Sequence, residues 1–178
     1  HPHALDLHRH IGLAFAAPFV WIAPVYTPPP LLPVGEQPPS PVADATIRFG
    51  DHITLVGYDF PGNAAEAGWP PTGVQPGDLF DVRLYWQTDA PLPTDYSVFV
   101  HLVDELGIVQ AQSDSHPALG GRPTSGWQPG EVVVDLHRLR LPTGLPPGRI
   151  AIDVGLYDYA SGERLPVALQ YPGGEPLV

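Results

Sequence analysis

The residues best suited to chemistry are histidines close to the start of the sequence. Imidazole is the commonest metal-binding side chain, and four histidines stand in the first ten positions: His1, His3, His8 and His10. An N-terminal histidine can chelate copper through its ring and α-amine, but that chemistry needs a third ligand from a rigid part of the fold. No residue of the sequence is marked out for that role, so we expect neither a metal site nor a cofactor.

A second group combines hydroxyl, carboxylate and imidazole in residues 113–116 (SDSH). These are the ingredients of a nucleophile triad, but neighbours in an extended chain point to opposite sides, and no Gly-x-Ser-x-Gly elbow is present. The acidic residues stand mostly in expected turns, and no Asp-x-Asp-x-Asp-Gly calcium loop occurs. We therefore predict that the chain is not an enzyme.

The charge balance narrows the choice of partners. The chain of 178 residues has 19 acidic and 8 basic residues, a formal charge of −11. Such a surface repels phosphate backbones, so nucleic-acid binding is not expected. Cysteine is absent, which excludes disulfides and thiolate chemistry. Because the sequence opens with His1, we interpret it as a processed product or a fragment of a longer chain.

The first 44 residues differ from the rest. Residues 11–26 (IGLAFAAPFVWIAPVY) form an uncharged apolar run that is short for a membrane span. They are either the outer end of a transmembrane helix, or an extended segment on the domain or on another chain, with contacts through Ile11, Phe15, Phe19, Trp21 and Tyr26. Residues 27–42 are rich in proline, which predicts an extended, semi-rigid spacer.

From residue 45 to residue 178 the pattern has period two, with turn residues at short intervals. It predicts about eight strands: residues 47–49, 52–58, 81–87, 96–103, 108–113, 132–141, 150–156 and 164–167. The last two are expected to form a hairpin through the turn at residues 158–163 (DYASGE). Parity shifts at His137 and Arg138, which predicts a β-bulge. The expected fold is an all-β antiparallel sandwich of immunoglobulin-like or jelly-roll type.

Aromatic residues outside the expected core are the remaining signal. Trp69 and Trp127 stand in loops rich in Pro and Gly, while Tyr85 and Tyr157 occupy strand positions opposite the apolar face. A planar ring can stack on the apolar face of a sugar, so these four residues are the candidate ligand-binding set. The competing interpretation is that loop tryptophans close the ends of the sandwich.

A series of motifs supports a family resemblance. They are residues 49–59 (FGDHITLVGYD), 76–78 (PGD), 84–86 (LYW), 96–102 (YSVFVHL), 123–130 (PTSGWQPG), 145–148 (LPPG) and 154–158 (VGLYD). Together they resemble the C-terminal extracytoplasmic β-sandwich domain of bacterial, Chloroflexota-like multi-spanning membrane glycosyltransferases of the mannosyltransferase-like superfamily. Residues 23–30 (APVYTPPP) are similar to the exit of the last transmembrane helix in such proteins. The catalytic carboxylates of those enzymes lie in the membrane portion, so the resemblance carries none to this chain.

Two functions remain open at this point. The first is a non-catalytic, extracytoplasmic accessory domain, at the cell surface or anchored to the membrane, that binds or positions glycans or cell-envelope partners. The second is a structural subunit of a surface layer or extracellular filament, in which residues 11–26 dock on a neighbouring subunit.

Overall fold

The chain folds as two antiparallel sheets stacked into a β-sandwich. The computed structural model describes residues 31–32, 36–38, 40–41, 46–61, 75–145 and 148–170. Within these ranges the all-β prediction is confirmed. The predicted docking residues in 11–26, the four N-terminal histidines and Trp69 lie outside the described residues.

The larger sheet has the strand order β7-β4-β3-β2-β9, with β1 beside β3, and the smaller sheet has the order β6-β5-β8. The strands of the described chain are β1 (Ser40–Pro41), β2 (Thr46–Phe49), β3 (Ile53–Asp59), β4 (Leu79–Thr88), β5 (Tyr96–Asp104), β6 (Val109–Ser115), β7 (Val132–Arg140), β8 (Ile150–Asp158) and β9 (Val167–Gln170). Among these residues no helix has the length and apolarity needed to cross a membrane.

Alternation of side chains builds the core, as the sequence predicts. Successive strand residues point to opposite faces, so one face of β4 and one face of β5 meet between the sheets. Their inward residues are almost fully buried: Val82, Leu84, Trp86, Val98, Val100 and Leu102. The ring of Trp86 packs edge-to-face on Phe49, with centroids 5.3 Å apart.

Two parts of the expected spacer pair with the sandwich. Leu32 forms an isolated bridge with Val132, its N–H donating to the carbonyl at 3.2 Å. Further along, Ser40 and Pro41 pair with β3. These contacts form because the outer side of β7 and the end of β3 beyond β2 offer backbone partners that even a proline-rich segment can use.

The predicted bulge at His137 and Arg138 is also wrong. The pairing of β7 with β4 runs without a register shift from Leu79↔Arg140 to Gln87↔Val132. The apparent change of parity arises because Asp135 and His137 occupy core positions, with 0% and 1% exposure. Their polarity, and not an extra residue, breaks the apolar alternation.

The expected hairpin partner of β8 divides its contacts between the two sheets. Arg164 forms a single bridge with Tyr157, and the N–H of Leu165 donates to the carbonyl of Leu156 at 2.9 Å. The chain then crosses to the large sheet, where β9 pairs with β2. Only the end of β8 is therefore paired by the returning segment.

The connection between β6 and β7 contains a left-handed turn. Ala118, Leu119 and Gly120 have φ values of 54°, 53° and 84°, a conformation that costs energy for residues with a Cβ atom. The turn directs the N–H of Ala118 to the buried carboxylate of Asp135 at 2.8 Å. The Leu119 side chain is 83% exposed, so its burial does not offset the cost of this conformation.

Replacing Leu119 by glycine tests this account of the turn. Glycine adopts the left-handed conformation without steric cost, so Leu119→Gly is expected to raise the free energy of unfolding by about 1 kcal/mol. Leu119→Ala keeps the Cβ atom and is expected to change stability by less than about 0.5 kcal/mol. Urea unfolding of the three proteins measures both effects, and a destabilised Leu119→Gly would contradict the assignment of strain.

Candidate functional site

A chain of polar side chains crosses the interior between β6 and β7. The Oγ atom of Ser113 lies 3.1 Å from Nδ1 of His137, and Nε2 of His137 lies 2.9 Å from Oδ2 of Asp135. With Nε2 protonated, His137 donates to the carboxylate and accepts a hydrogen bond from the serine hydroxyl. The three residue types are those of a nucleophile triad, assembled from two strands.

The remaining contacts of Asp135 indicate that these three polar side chains have a structural role. Its carboxylate also accepts hydrogen bonds from the Trp86 indole at 3.3 Å and from the Ala118 N–H at 2.8 Å. Ser113 faces the core, because it stands opposite Val100, which is fully buried. The polar chain therefore satisfies buried groups and joins the two sheets at this corner.

The predicted cluster at residues 113–116 is not brought together. Ser113 contacts His137, whereas Asp114 points to the outer face and pairs with His101 at 3.1 Å. His116 lies near the carbonyl of Tyr96, at 3.3 Å. Alternation along β6 separates these side chains, as expected for an extended chain.

Trp127 is not exposed, which removes the basis of its predicted ligand-binding role. Its side chain is 1% exposed and belongs to the hydrophobic core, and its indole N–H donates to the carbonyl of Arg122 at 2.9 Å. The competing interpretation, in which loop tryptophans close the sandwich, is confirmed for this residue.

Tyr85 is buried as well, although it lies opposite the core face of β4. It is 2% exposed, and its hydroxyl donates to Oδ2 of Asp59 at 3.1 Å. Arg83 donates to the same hydroxyl at 3.4 Å and lies 3.5 Å from the Asp59 carboxylate. Burial raises the pKa of Tyr85. Its ring is therefore unavailable for stacking on a ligand.

Among the three predicted ligand-binding residues that the structure describes, Tyr157 remains accessible, being half-buried on the outer face of the small sheet. Rows of paired residues cross this face. One row joins Asp114, Phe99 and Gly155, and the next joins Gln112, His101 and Asp153. We refer to Phe99, His101, Asp114, Asp153 and Tyr157 as the outer face.

Phe99 forms the centre of the outer face. Its ring lies across Gly155, where an added Cβ atom would come within 2.3 Å of Cζ. The ring centroid is 6.4 Å from that of Tyr157 and 4.8 Å from that of His101. The guanidinium carbon of Arg164 lies 4.5 Å from the Phe99 centroid, a cation–π contact.

Polar groups flank these rings. His101 and Asp114 are paired with side-chain exposures of 14% and 31%, and Gln112 and Asp153 are exposed. A carboxylate accepts hydrogen bonds from hydroxyls, and an amide both accepts and donates them. Because Phe99 itself is buried, the outer face combines one half-buried aromatic ring, that of Tyr157, with hydrogen-bonding groups at fixed strand positions.

A second polar cluster surrounds a depression on the outer side of the large sheet. Arg48 donates to Oδ2 of Asp89 at 2.7 Å and to the Asp51 carbonyl, and His52 lies 2.8 Å from Oδ1 of Asp89. The hydrogen bonds from Arg48 and then His52 lower the pKa of the Asp89 carboxyl. The depression itself is lined by Arg48, Asp89, Thr54, Gln87, Thr88, Pro129 and Gly130. The described lining contains no aromatic ring, so this site offers no stacking surface.

Comparisons with known proteins do not assign the chain to a family. No protein-family model, curated protein or solved structure matches the chain. Within the described ranges no group of three or more His, Cys, Asp or Glu residues is placed to hold a metal ion.

The sequence reasoning missed the polar chain and most of the outer face. A polar residue at an inward strand position is a detectable signal, and Asp135 and His137 could have been found by giving β7 a continuous register. Phe99, Gly155 and Arg164 come together only through strand pairing. No local pattern indicates that contact.

The polar chain of Ser113, His137 and Asp135 leads to a prediction about stability. Asp135→Ala removes the acceptor for three buried donors, on His137, Trp86 and Ala118, and is expected to lower the free energy of unfolding by about 3–5 kcal/mol. The matched control is Asp153→Ala, which removes an exposed carboxylate and is expected to change stability by less than about 0.5 kcal/mol. Urea denaturation compares the two, and equal effects would contradict the central role of Asp135.

The contact between Phe99 and Gly155 leads to a second prediction about stability. Gly155→Ala forces the ring off β8 and is expected to cost about 1–3 kcal/mol of stability. Gly144→Ala is the control, because its Cβ atom would meet nothing within 4 Å. Thermal and urea unfolding measure the difference. A tolerated Gly155→Ala together with unchanged near-ultraviolet circular dichroism would refute the packing described for the outer face.

Proposed function

We propose that the chain is a non-catalytic accessory domain that binds glycans on the outer face of its small sheet. The observation that carries this proposal is the half-buried ring of Tyr157. This ring lies beside Phe99, and the guanidinium of Arg164 lies over the Phe99 ring. A tyrosine supported in this way presents a rigid, amphipathic surface at low conformational-entropy cost. Such a surface suits the apolar face of a pyranose ring.

The groups around the rings favour a polyhydroxylated ligand. Asp153 and Gln112 extend from the row next to Phe99 and are exposed, so they are free to bind hydroxyls in the plane of the face. A few placed polar groups beside an apolar surface give a small-molecule site its orientation and specificity. Tyr159, which is 73% exposed, extends the aromatic surface beyond the end of β8.

Net charge selects among glycans. The formal charge of −11 disfavours polyanionic polysaccharides, as it disfavours nucleic acids and anionic headgroups. The proposed ligand is therefore a neutral glycan. We also propose an extracytoplasmic position, at the cell surface or anchored to the membrane, where envelope polysaccharides are present; the support for this location is the resemblance of the sequence motifs.

The experiment is a binding assay on immobilised neutral polysaccharides built from glucose, mannose, galactose and N-acetylglucosamine. The wild-type chain is expected to bind at least one of them, and Tyr157→Ala is expected to weaken that binding about tenfold or more. Leu136→Ala is the control, because it removes an exposed side chain (40%) from the opposite sheet. It is expected to bind as the wild type does.

Two outcomes would overturn the proposal. One is the absence of binding to every polysaccharide of the panel by a folded wild-type chain. The other is binding that survives both Tyr157→Ala and Asp153→Ala, since the ligand would then lie elsewhere on the surface. Circular dichroism of each variant shows that lost binding does not reflect lost folding.

A further inference from the structure

Among the described residues, the sandwich is closed along one side and open along the other. On the closed side β6 lies against β7, and the hydrogen bond from Ser113 to His137 crosses between the sheets. On the opposite side β8 and β9 are the last strands of their sheets among the described residues.

Three apolar residues of β8 on this open side are incompletely covered. Ile150, Ile152 and Val154 point inward and pack against the core, yet each remains partly exposed. The inward residues paired with two of them on β5 are buried, Leu102 with 2% and Val100 with 0% exposure. The exposure of the inward side chains therefore increases from β5 to β8, the edge strand of the small sheet.

The edge of the large sheet shows the same feature. Val167 is paired with Phe49 and so faces the core side, but it is 57% exposed. Leu169 is paired with Ile47 and is only partly buried. We call Ile150, Ile152, Val154, Val167 and Leu169 the apolar rim of the open side.

The end of β8 shows what covers such a position. Leu156 is fully buried, and it is there that the N–H of Leu165 donates to the β8 backbone at 2.9 Å. No described strand pairs with the free side of residues 150–154. Among the described residues, the outward backbone groups of this stretch are thus unpaired and its apolar side chains are only partly covered, which is the geometry of a strand-addition site.

The sequence contains a segment with the complementary pattern. Residues 11–17 (IGLAFAA) alternate large apolar side chains at Ile11, Leu13 and Phe15 with Gly or Ala between them. They contain no charge and no proline. In an added strand the large side chains would share one face, and the small residues would lie on the other.

We propose that residues 11–17 of a second copy of this chain add as a strand to residues 150–154 of β8. Ile11, Leu13 and Phe15 then fill the open side against the apolar rim. Donor and acceptor are different surfaces, so the contact is head-to-tail and continues from copy to copy as a ring or a filament. This inference does not depend on the proposed glycan binding.

The position of Leu32 favours a neighbouring copy over the same molecule. Leu32 is bonded to Val132 of β7, on the closed side, away from β8. Residues 28–30 are three consecutive prolines, which hold the chain extended and resist a reversal around the sandwich. The described start of the spacer thus meets its own sandwich at β7, at the opposite end of the large sheet from the apolar rim.

Disulfide trapping tests the contact directly, because the chain contains no cysteine. The Ala14→Cys chain is mixed under oxidising conditions with chains carrying Ala151→Cys or Asp153→Cys, whose side chains lie on the outer face of β8. We expect a cross-linked dimer with at least one of them. Gln112→Cys on β6, the other edge strand of the same sheet, is the control and is expected to remain unlinked.

Assembly provides the second measurement. Analytical ultracentrifugation of the full chain is expected to show concentration-dependent oligomers, which Leu13→Asp or Phe15→Asp abolish and Ala14→Asp or Ala16→Asp retain. A monomeric full chain, equal cross-linking to Gln112→Cys, or a cross-link formed only within one molecule by the Ala14→Cys/Asp153→Cys chain would each overturn the proposal. Loss of oligomers in all four aspartate variants would do the same.

Discussion

One buried carboxylate, that of Asp135, connects the elements on which the sandwich depends. It accepts from Trp86 of β4, from His137 of its own strand and from Ala118 of the loop before β7. Through His137 the connection reaches Ser113 of the other sheet. Burial of a carboxylate is costly unless every lone pair is used, so these partners must be in place together. That requirement accounts for the left-handed turn, whose strain is tolerated because it delivers one of the donors.

The polar chain also gives the sandwich two unlike sides. Where β6 meets β7, the hydrogen bond between Ser113 and His137 joins the sheets in a fixed direction. Where β8 and β9 end the sheets, the inward side chains are apolar and only partly covered. Apolar contacts are not directional, and they accept any chain that offers complementary side chains. The specificity of the open side must therefore come from backbone pairing and from the period of the incoming segment.

Alternation in the sequence predicts the position of most strands, including β7, but it fails at the register of β7, where polar residues face the core. Alternation placed β4, β5 and β8 correctly, whereas β7 was assigned a bulge because Asp135 and His137 stand in the core. Loop composition alone does not reveal burial, which is why Trp127 was expected to be exposed. Part of the outer face was accessible to the same reasoning through Tyr157. The environment of Phe99 was not, since it depends on residues brought together by strand pairing.

The two proposals meet in β8. This strand supplies Tyr157 and Asp153 to the outer face, and its free side is the proposed acceptor for a further strand. Neighbouring strands lie about 4.8 Å apart, so strand addition would widen the same face by that distance. The small residues of the donor, Gly12, Ala14 and Ala16, would then lie level with Asp153 and leave the added surface open to a ligand. Repetition of the domain along an assembly would also present many weak glycan sites at fixed spacing, and multivalency converts such sites into strong binding without any new contact.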